Sequence, residues 1–216
     1  MAKQIILNND SPSIVHLCKH DKRLSKVISM VGPISYEIHD EDPYAFLVHE
    51  IIEQMLSIKA GAKIYNRLSD LCNGHISPES ISRLSDDEIR STGTSNSKVQ
   101  YIKGLTSSVL YGDIVLGELE QLSDSEVCKR LTSLKGIGYW TAKMYLIFVL
   151  NRQDILPYED VAFLQSYMWM YKTSNCNRKS IETKCKKWKP YSSIAVRYLY
   201  RALNMGFTKK EFNSFL

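Results

Sequence analysis

A chain of 216 residues and 24.8 kDa has room for one large domain or two small ones, and 44% hydrophobic with 24% charged residues excludes disorder and fibrous repeats. Mean hydropathy is −0.23, and the longest strongly apolar run, residues 144–150, is far too short to span a bilayer. The net charge of +5 is uneven: residues 160–216 hold 11 basic and 3 acidic side chains, whereas 1–159 hold 17 and 20.

The opening run MAKQIILN lacks an apolar core long enough for a secretory signal, so an intracellular protein is expected, cytoplasmic in a bacterium and nuclear in a eukaryote. His16, Cys18 and His20 place two imidazoles and a thiol within one helical turn, a pattern more often incidental than a zinc site. The five cysteines, at 18, 72, 128, 176 and 185, show no regular spacing. They read as reduced thiols and argue against an iron–sulfur cluster, which needs four closely spaced ligands.

Helix signals dominate from there on. Apolar residues recur at helical spacing through Phe46, Leu47, Ile51, Met55 and Ile58, and again through Ile194, Tyr198, Leu199 and Leu203. Ser85 with Glu88, and Ser123 with Glu126, each predict a capping box, in which the Ser oxygen and the Glu carboxylate satisfy orphan donors of the first turn. Thr208 to Glu211 repeats that pattern after Gly206, which reads as a helix stop. Alternating strand-like runs are scarce, so the expected class is all-α, with nine or ten helices.

The most informative stretch runs from Leu131 to Lys143. A capped helix over 124–133 leads into Gly136-Ile137-Gly138, and a strongly apolar helix over 139–150 follows. Two glycines flanking an isoleucine permit a tight turn with bare backbone N–H groups beside a helix N-terminus, a good phosphate seat. Lys135, Lys143 and Lys98 are candidate side-chain helpers there. Further on, Leu156-Pro157-Tyr158-Glu159-Asp160 brings a carboxylate, with Pro157 reading as the start of a helix just ahead of it. Asp154 and Glu159 read as solvated charges. The basic C-terminal quarter suits a polyanion by counterion release, or equally a solvated Lys-rich face, and the 184–189 run stays open between the two.

Taken together these motifs resemble the helix-hairpin-helix DNA glycosylase superfamily, and within it the 3-methyladenine DNA glycosylase II branch. The hairpin Gly136-Ile137-Gly138-Tyr139-Trp140-Thr141-Ala142 fits the family's Gly-Ile-Gly-x-Trp-Thr-Ala, and Pro157 to Asp160 fits its Pro-x-x-Asp. The helix 50–60 looks like its Gln-containing helix, and Gly93 to Lys98 follows its Gly-x-Ser-x-x-Lys element loosely. Trp188-Lys189-Pro190-Tyr191-Ser192-Ser193-Ile194-Ala195 matches its Trp-x-Pro-Tyr-x-Ser-x-Ala signature.

The resemblance implies a DNA repair enzyme that flips an alkylated purine from duplex DNA and hydrolyses its N-glycosidic bond, with Asp160 catalytic. The base pocket takes Trp140 and Tyr200. Met144 and Val161 stand where a bacterial member has tyrosines, which suggests a plainer pocket. Gln54, also counted in the base pocket, and Met55 match the wedge, with Met55 filling the gap left by the extruded nucleotide. In bifunctional members the position of Trp140 holds a lysine that attacks the sugar, so a monofunctional enzyme using water is expected. No cofactor is required, although a sodium or potassium ion on the carbonyls of Thr132, Leu134 and Ile137 is implied.

The implied architecture is two helical lobes, residues 42–152 ending in the helix–hairpin–helix at about 124–150, and 1–41 with 153–216, with Asp160 at the cleft between. The chain starts too near the helical core for the N-terminal β-domain of some members. A monomer acting on damaged duplex DNA is expected, with no membrane partner. The rival readings are a glycosylase for uracil, mismatched adenine or 8-oxoguanine, a non-catalytic DNA-binding module, and a helical interaction protein.

Overall fold

The computed structural model describes residues 3–38 and 42–212. In chain order these form β1 (Lys3–Leu7), α1 (Pro12–His20), α2 (Lys22–Val31), β2 (Ile34–Ile38), α3 (Pro43–Glu53), α4 (Ile58–Leu71), α5 (Pro78–Arg83), α6 (Asp86–Ser91) and α7 (Asn96–Leu110). A 3₁₀ turn at Leu116–Gln121 leads to α8 (Asp124–Thr132) and α9 (Tyr139–Met144), which runs on as a π-helical stretch over Tyr145–Val149. Then come α10 (Val161–Tyr171), α11 (Arg178–Cys185) and α12 (Ser192–Asn204), with 3₁₀ turns at Lys186–Trp188 and Phe207–Lys209. Among the described residues no helix is long and apolar enough to cross a membrane.

The fold is helical, with one addition that the sequence reading did not contain. β1 and β2 pair antiparallel, from Lys3 opposite Ile38 to Leu7 opposite Ile34. Leu7 and Ile34 turn inward, and Ser35 and Glu37 turn to solvent, the period-two alternation of a half-buried strand. Both expected capping boxes are present at the starts of α6 and α8. Three boundaries differ from expectation. The apolar run through Phe46 and Ile58 breaks at Gln54 into α3 and α4, the segment after Gly206 is a 3₁₀ turn, and α10 starts at Val161, four residues after Pro157.

The chain divides into two compact units, Met1–Ile38 with Asn151–Leu216, and His39–Leu150. In the second, α3 buries Tyr44, Leu47, Val48, Ile51 and Ile52, each large apolar side chain contributing about 2 kcal/mol by leaving water. The Tyr44 hydroxyl lies 2.7 Å from Thr106 Oγ1 on α7, whose own hydroxyl donates to the Ile102 carbonyl. A buried polar group is thereby satisfied instead of stranded.

The first unit is centred on a buried carboxylate. Asp21 is 2% exposed and caps α2, with Oδ1 accepting from the Arg23 and Leu24 N–H groups. Its Oδ2 accepts from the Tyr171 hydroxyl and from Trp188 Nε1 at 2.8 Å, and the Lys187 ammonium lies at 3.1 Å. Burial pushes the Asp21 pKa up, but the donors from Tyr171, Trp188, Leu24 and Lys187 outweigh it and hold the carboxyl below its ordinary value. Because the folded value is depressed, the stabilisation is present at neutral pH and is lost as pH falls below the ordinary carboxylate range.

Asp21→Asn strands buried donors, so we expect it to cost about 3 kcal/mol, a fall in Tm of roughly 10 °C at pH 7. The gap between wild type and variant should narrow as thermal melts are repeated toward pH 3. An unchanged gap across that range would remove Asp21 as the titrating group.

Candidate functional site

The hairpin lies between α8 and α9. The turn is closed by the Leu134 N–H donating to the Leu131 carbonyl and the Ile137 N–H donating to the Leu134 carbonyl, both at 3.1 Å. Gly136 has φ +92, and a Cβ there would lie 2.4 Å from Cγ of Tyr101. Only glycine fits. Gly138 caps α9 with extended backbone and offers no side chain, and a Cβ there would meet nothing within 4 Å. The first-turn N–H groups of any helix need partners from outside it, so an anion approaching such an exposed glycine cap meets oriented donors. Lys135 is exposed beside Gly136, while Lys143 and Trp140 are half-buried on α9 and Met144 is buried.

Of three further residues expected at the site, Gln54 reaches this hairpin, while Lys98 and Met55 belong to the turn at the end of α3. Gln54 Nε2 donates to the Gly136 carbonyl at 2.8 Å, tying the end of α3 to the turn. Lys98 on α7 donates its ammonium to the carbonyls of Ile52 and Gln54, at 2.8 and 2.6 Å. Met55 follows with φ +58 and is 100% exposed, so it is not a core side chain. Tyr101, which seats Gly136, was not singled out from the sequence. It lies three residues after Lys98 on the same face of α7, and only the partner reveals its importance.

In the other unit, Asp160 is the N-cap of α10 and 8% exposed. Its Oδ1 accepts from the Phe163 N–H at 2.6 Å, and its own N–H donates to the Pro157 carbonyl at 3.0 Å. The cap fixes the orientation of the carboxylate at the start of α10. Val161 beside it is 76% exposed. Tyr200 is half-buried on α12, which packs along α10.

The Trp188–Ala195 signature has a structural explanation in this unit. Trp188 binds Asp21, and the two serines hold the segment that leads to Asp160. Ser193 Oγ accepts from the Ile155 N–H at 2.9 Å, and Ser192 Oγ donates to Asp154 Oδ1 at 2.5 Å. Asp154 also pairs with Lys189 at 3.1 Å, so it is a structural carboxylate and not the solvated charge expected; Glu159 is exposed.

The basic run 184–189 is likewise partly engaged within the protein. Lys184 and Lys187 lie over the Tyr171 ring, Lys187 also meets Asp21, and Lys189 meets Asp154. At His16 and His20 the rings lie tilted by 30° with centroids 4.3 Å apart, and His20 Nδ1 lies 2.8 Å from the His16 carbonyl. Among the described residues no group of three or more His, Cys, Asp or Glu side chains is arranged to hold a metal ion.

A capped helix, a glycine hairpin and a second apolar helix define a helix–hairpin–helix protein. Sequence comparison extends this beyond the hairpin: the family model for HhH-GPD superfamily base excision DNA repair proteins matches residues 48–190. The chain belongs to that superfamily. DNA-3-methyladenine glycosylase 1 of Schizosaccharomyces pombe is 28% identical over 210 residues, covering 94% of this chain and 92% of the relative. The crystal structure of a DNA-3-methyladenine glycosidase from Bacillus halodurans matches with a TM-score of 0.84 at 33% identity, covering 96% of each chain. The Schizosaccharomyces pombe 3-methyladenine DNA glycosylase in complex with abasic DNA matches with a TM-score of 0.81 at 29% identity, covering 90% of this chain and 97% of that one.

Proposed function

We propose that this protein is a monofunctional DNA glycosylase of base excision repair that removes alkylated purines from duplex DNA and leaves an abasic site. The observation that carries the reading is Asp160, a buried carboxylate oriented by the first turn of α10. A module that only binds DNA needs no such carboxylate, whereas one stabilises the charge that develops as an N-glycosidic bond breaks. As the bond to the base lengthens, positive charge develops on the sugar, and a fixed carboxylate stabilises it. The same oxygen orients a water molecule, whose oxygen bonds to the anomeric carbon while its proton passes to the carboxylate or solvent. An alkylated purine is already cationic and leaves with the bonding electron pair as a neutral base.

The relatives named for 3-methyladenine support this substrate class. The residue two past Gly138 is Trp140, so no lysine is available there to form a Schiff base with the sugar. Trp140 and Tyr200 are the aromatic candidates for stacking on the flipped base, and stacking on a cationic ring is worth more than on a neutral one. Met144 and Val161 are the apolar pocket candidates. Gly136, Gly138, Lys135 and Lys143 are the phosphate contacts, and Met55, exposed and apolar, is the side chain that fills the vacated stack.

The carbonyls of Thr132, Leu134 and Ile137 are neutral, hard oxygen donors, the chemistry that suits a sodium or potassium ion. Leu134 keeps a second lone pair beyond the one used by the Ile137 N–H. Such an ion would supply positive charge beside the hairpin for a phosphate, and the protein would act as a monomer.

The test is base release from duplex DNA treated with a methylating agent. Methylated purines should appear free in solution, with the strand intact until alkali is added. Strand cleavage without alkali would contradict the monofunctional assignment, and no release would contradict the substrate class.

A further inference from the structure

α3 ends at Glu53, and the last carbonyls of any helix lack donors from within the helix. Here the donor comes from elsewhere. The Lys98 ammonium bonds the carbonyls of Ile52 and Gln54, replacing missing N–H groups and placing a positive charge at the negative end of the helix dipole. The next residue, Met55, has a left-handed backbone at φ +58, which a residue other than glycine adopts only where its surroundings hold it. The surroundings are on view: Lys98 on one side, the Leu56 N–H donating to the Glu53 carbonyl at 3.0 Å, and Gln54 reaching Gly136. Three residues along α7, the Tyr101 ring fills the space beside Gly136. One face of α7 therefore holds both the Met55 turn and the hairpin.

We propose that Lys98 is a positioning residue for Met55: by clamping the carbonyls of Ile52 and Gln54 it fixes the turn that projects Met55, in register with the hairpin at Gly136. This replaces the expectation that Lys98 binds a phosphate, since two of its three donors are spent inside the protein. The proposal rests on the reading of Met55 as the side chain that fills the vacated stack.

The experiment compares Lys98→Met, which keeps the aliphatic stem but removes the charge, with Lys98→Arg, which keeps donors, each alone and combined with Met55→Ala. The readouts are the single-turnover rate of methylpurine release and the salt dependence of duplex affinity. Lys98→Met should lower the rate about tenfold, to the level of Met55→Ala, and Lys98→Arg should recover most of it. In the Met55→Ala background Lys98→Met should cost nothing further, and the slope of log affinity against log salt should not change. Losses that multiply in the double variant, or a slope smaller by about one, would assign Lys98 to phosphate and overturn the proposal.

A wild-type rate for Met55→Ala alone would overturn the Met55 reading and the proposal with it. That pattern is distinct from a Met55→Ala defect that Lys98→Met does not reproduce, which overturns the Lys98 proposal only. Should Lys98→Met fail to fold, Lys98→Gln, which removes the charge but keeps two amide donors on a shorter stem, carries the same comparison.

Discussion

Asp160→Asn should lower the single-turnover rate of methylpurine release by about two to three orders of magnitude, while duplex affinity stays within a few-fold of wild type. The magnitude follows from removing a preorganised charge where positive charge develops, an effect of about 3–4 kcal/mol in comparable sites. The fold should survive, because an asparagine oxygen can still accept the Phe163 N–H and Asn caps helices as well as Asp does. Circular dichroism melts within a few degrees of wild type would show that the lost rate is chemical. A variant that retains near-normal turnover would remove Asp160 from the mechanism.

The second large effect is Gly136→Ala. The new Cβ would meet Tyr101 at 2.4 Å and the residue would have to hold φ +92, so two independent penalties act together. We expect about 3 kcal/mol of destabilisation and a loss of duplex affinity of tenfold or more as the hairpin shifts. Gly138→Ala is the informative companion. Its Cβ has open space and its φ is −98, so stability should barely change. A fall in duplex affinity without a fall in Tm would then mean that DNA approaches the Gly138 backbone closely. Equal melting temperatures for Gly136→Ala and wild type would contradict the packing described.

These expectations rest on features that differ in how plainly the sequence carries them. The capping boxes of α6 and α8 are local: a Ser and a Glu three residues apart satisfy each other's neighbourhood whatever the rest of the chain does. The hairpin glycines are legible for the same reason. The break after Glu53 is not, because no glycine or proline marks it, and the apolar spacing runs on through Met55 and Ile58, which are exposed. A lysine on a different helix supplies what that break needs, and no local pattern encodes such a contact. β1 and β2 are short and separated by two helices, so each run is too brief to stand out until the other is beside it. The role of Asp21 was missed for a similar reason: its partners lie some 150 residues further on. Pro157 misled because it shapes the turn ahead of Asp160, while α10 itself waits for Val161.

The division of the chain also has a consequence in time. One unit is contiguous, His39–Leu150, and every residue of the hairpin and of the Met55 turn belongs to it. The other is assembled from Met1–Ile38 and Asn151–Leu216, so it must wait for residues 151–216 to leave the ribosome. Until Tyr171 and Trp188 have been synthesised, Asp21 has no donors for its Oδ2, and α2 remains a helix in search of a core. The nascent chain thus completes the unit that carries the proposed phosphate contacts before the unit that carries Asp160.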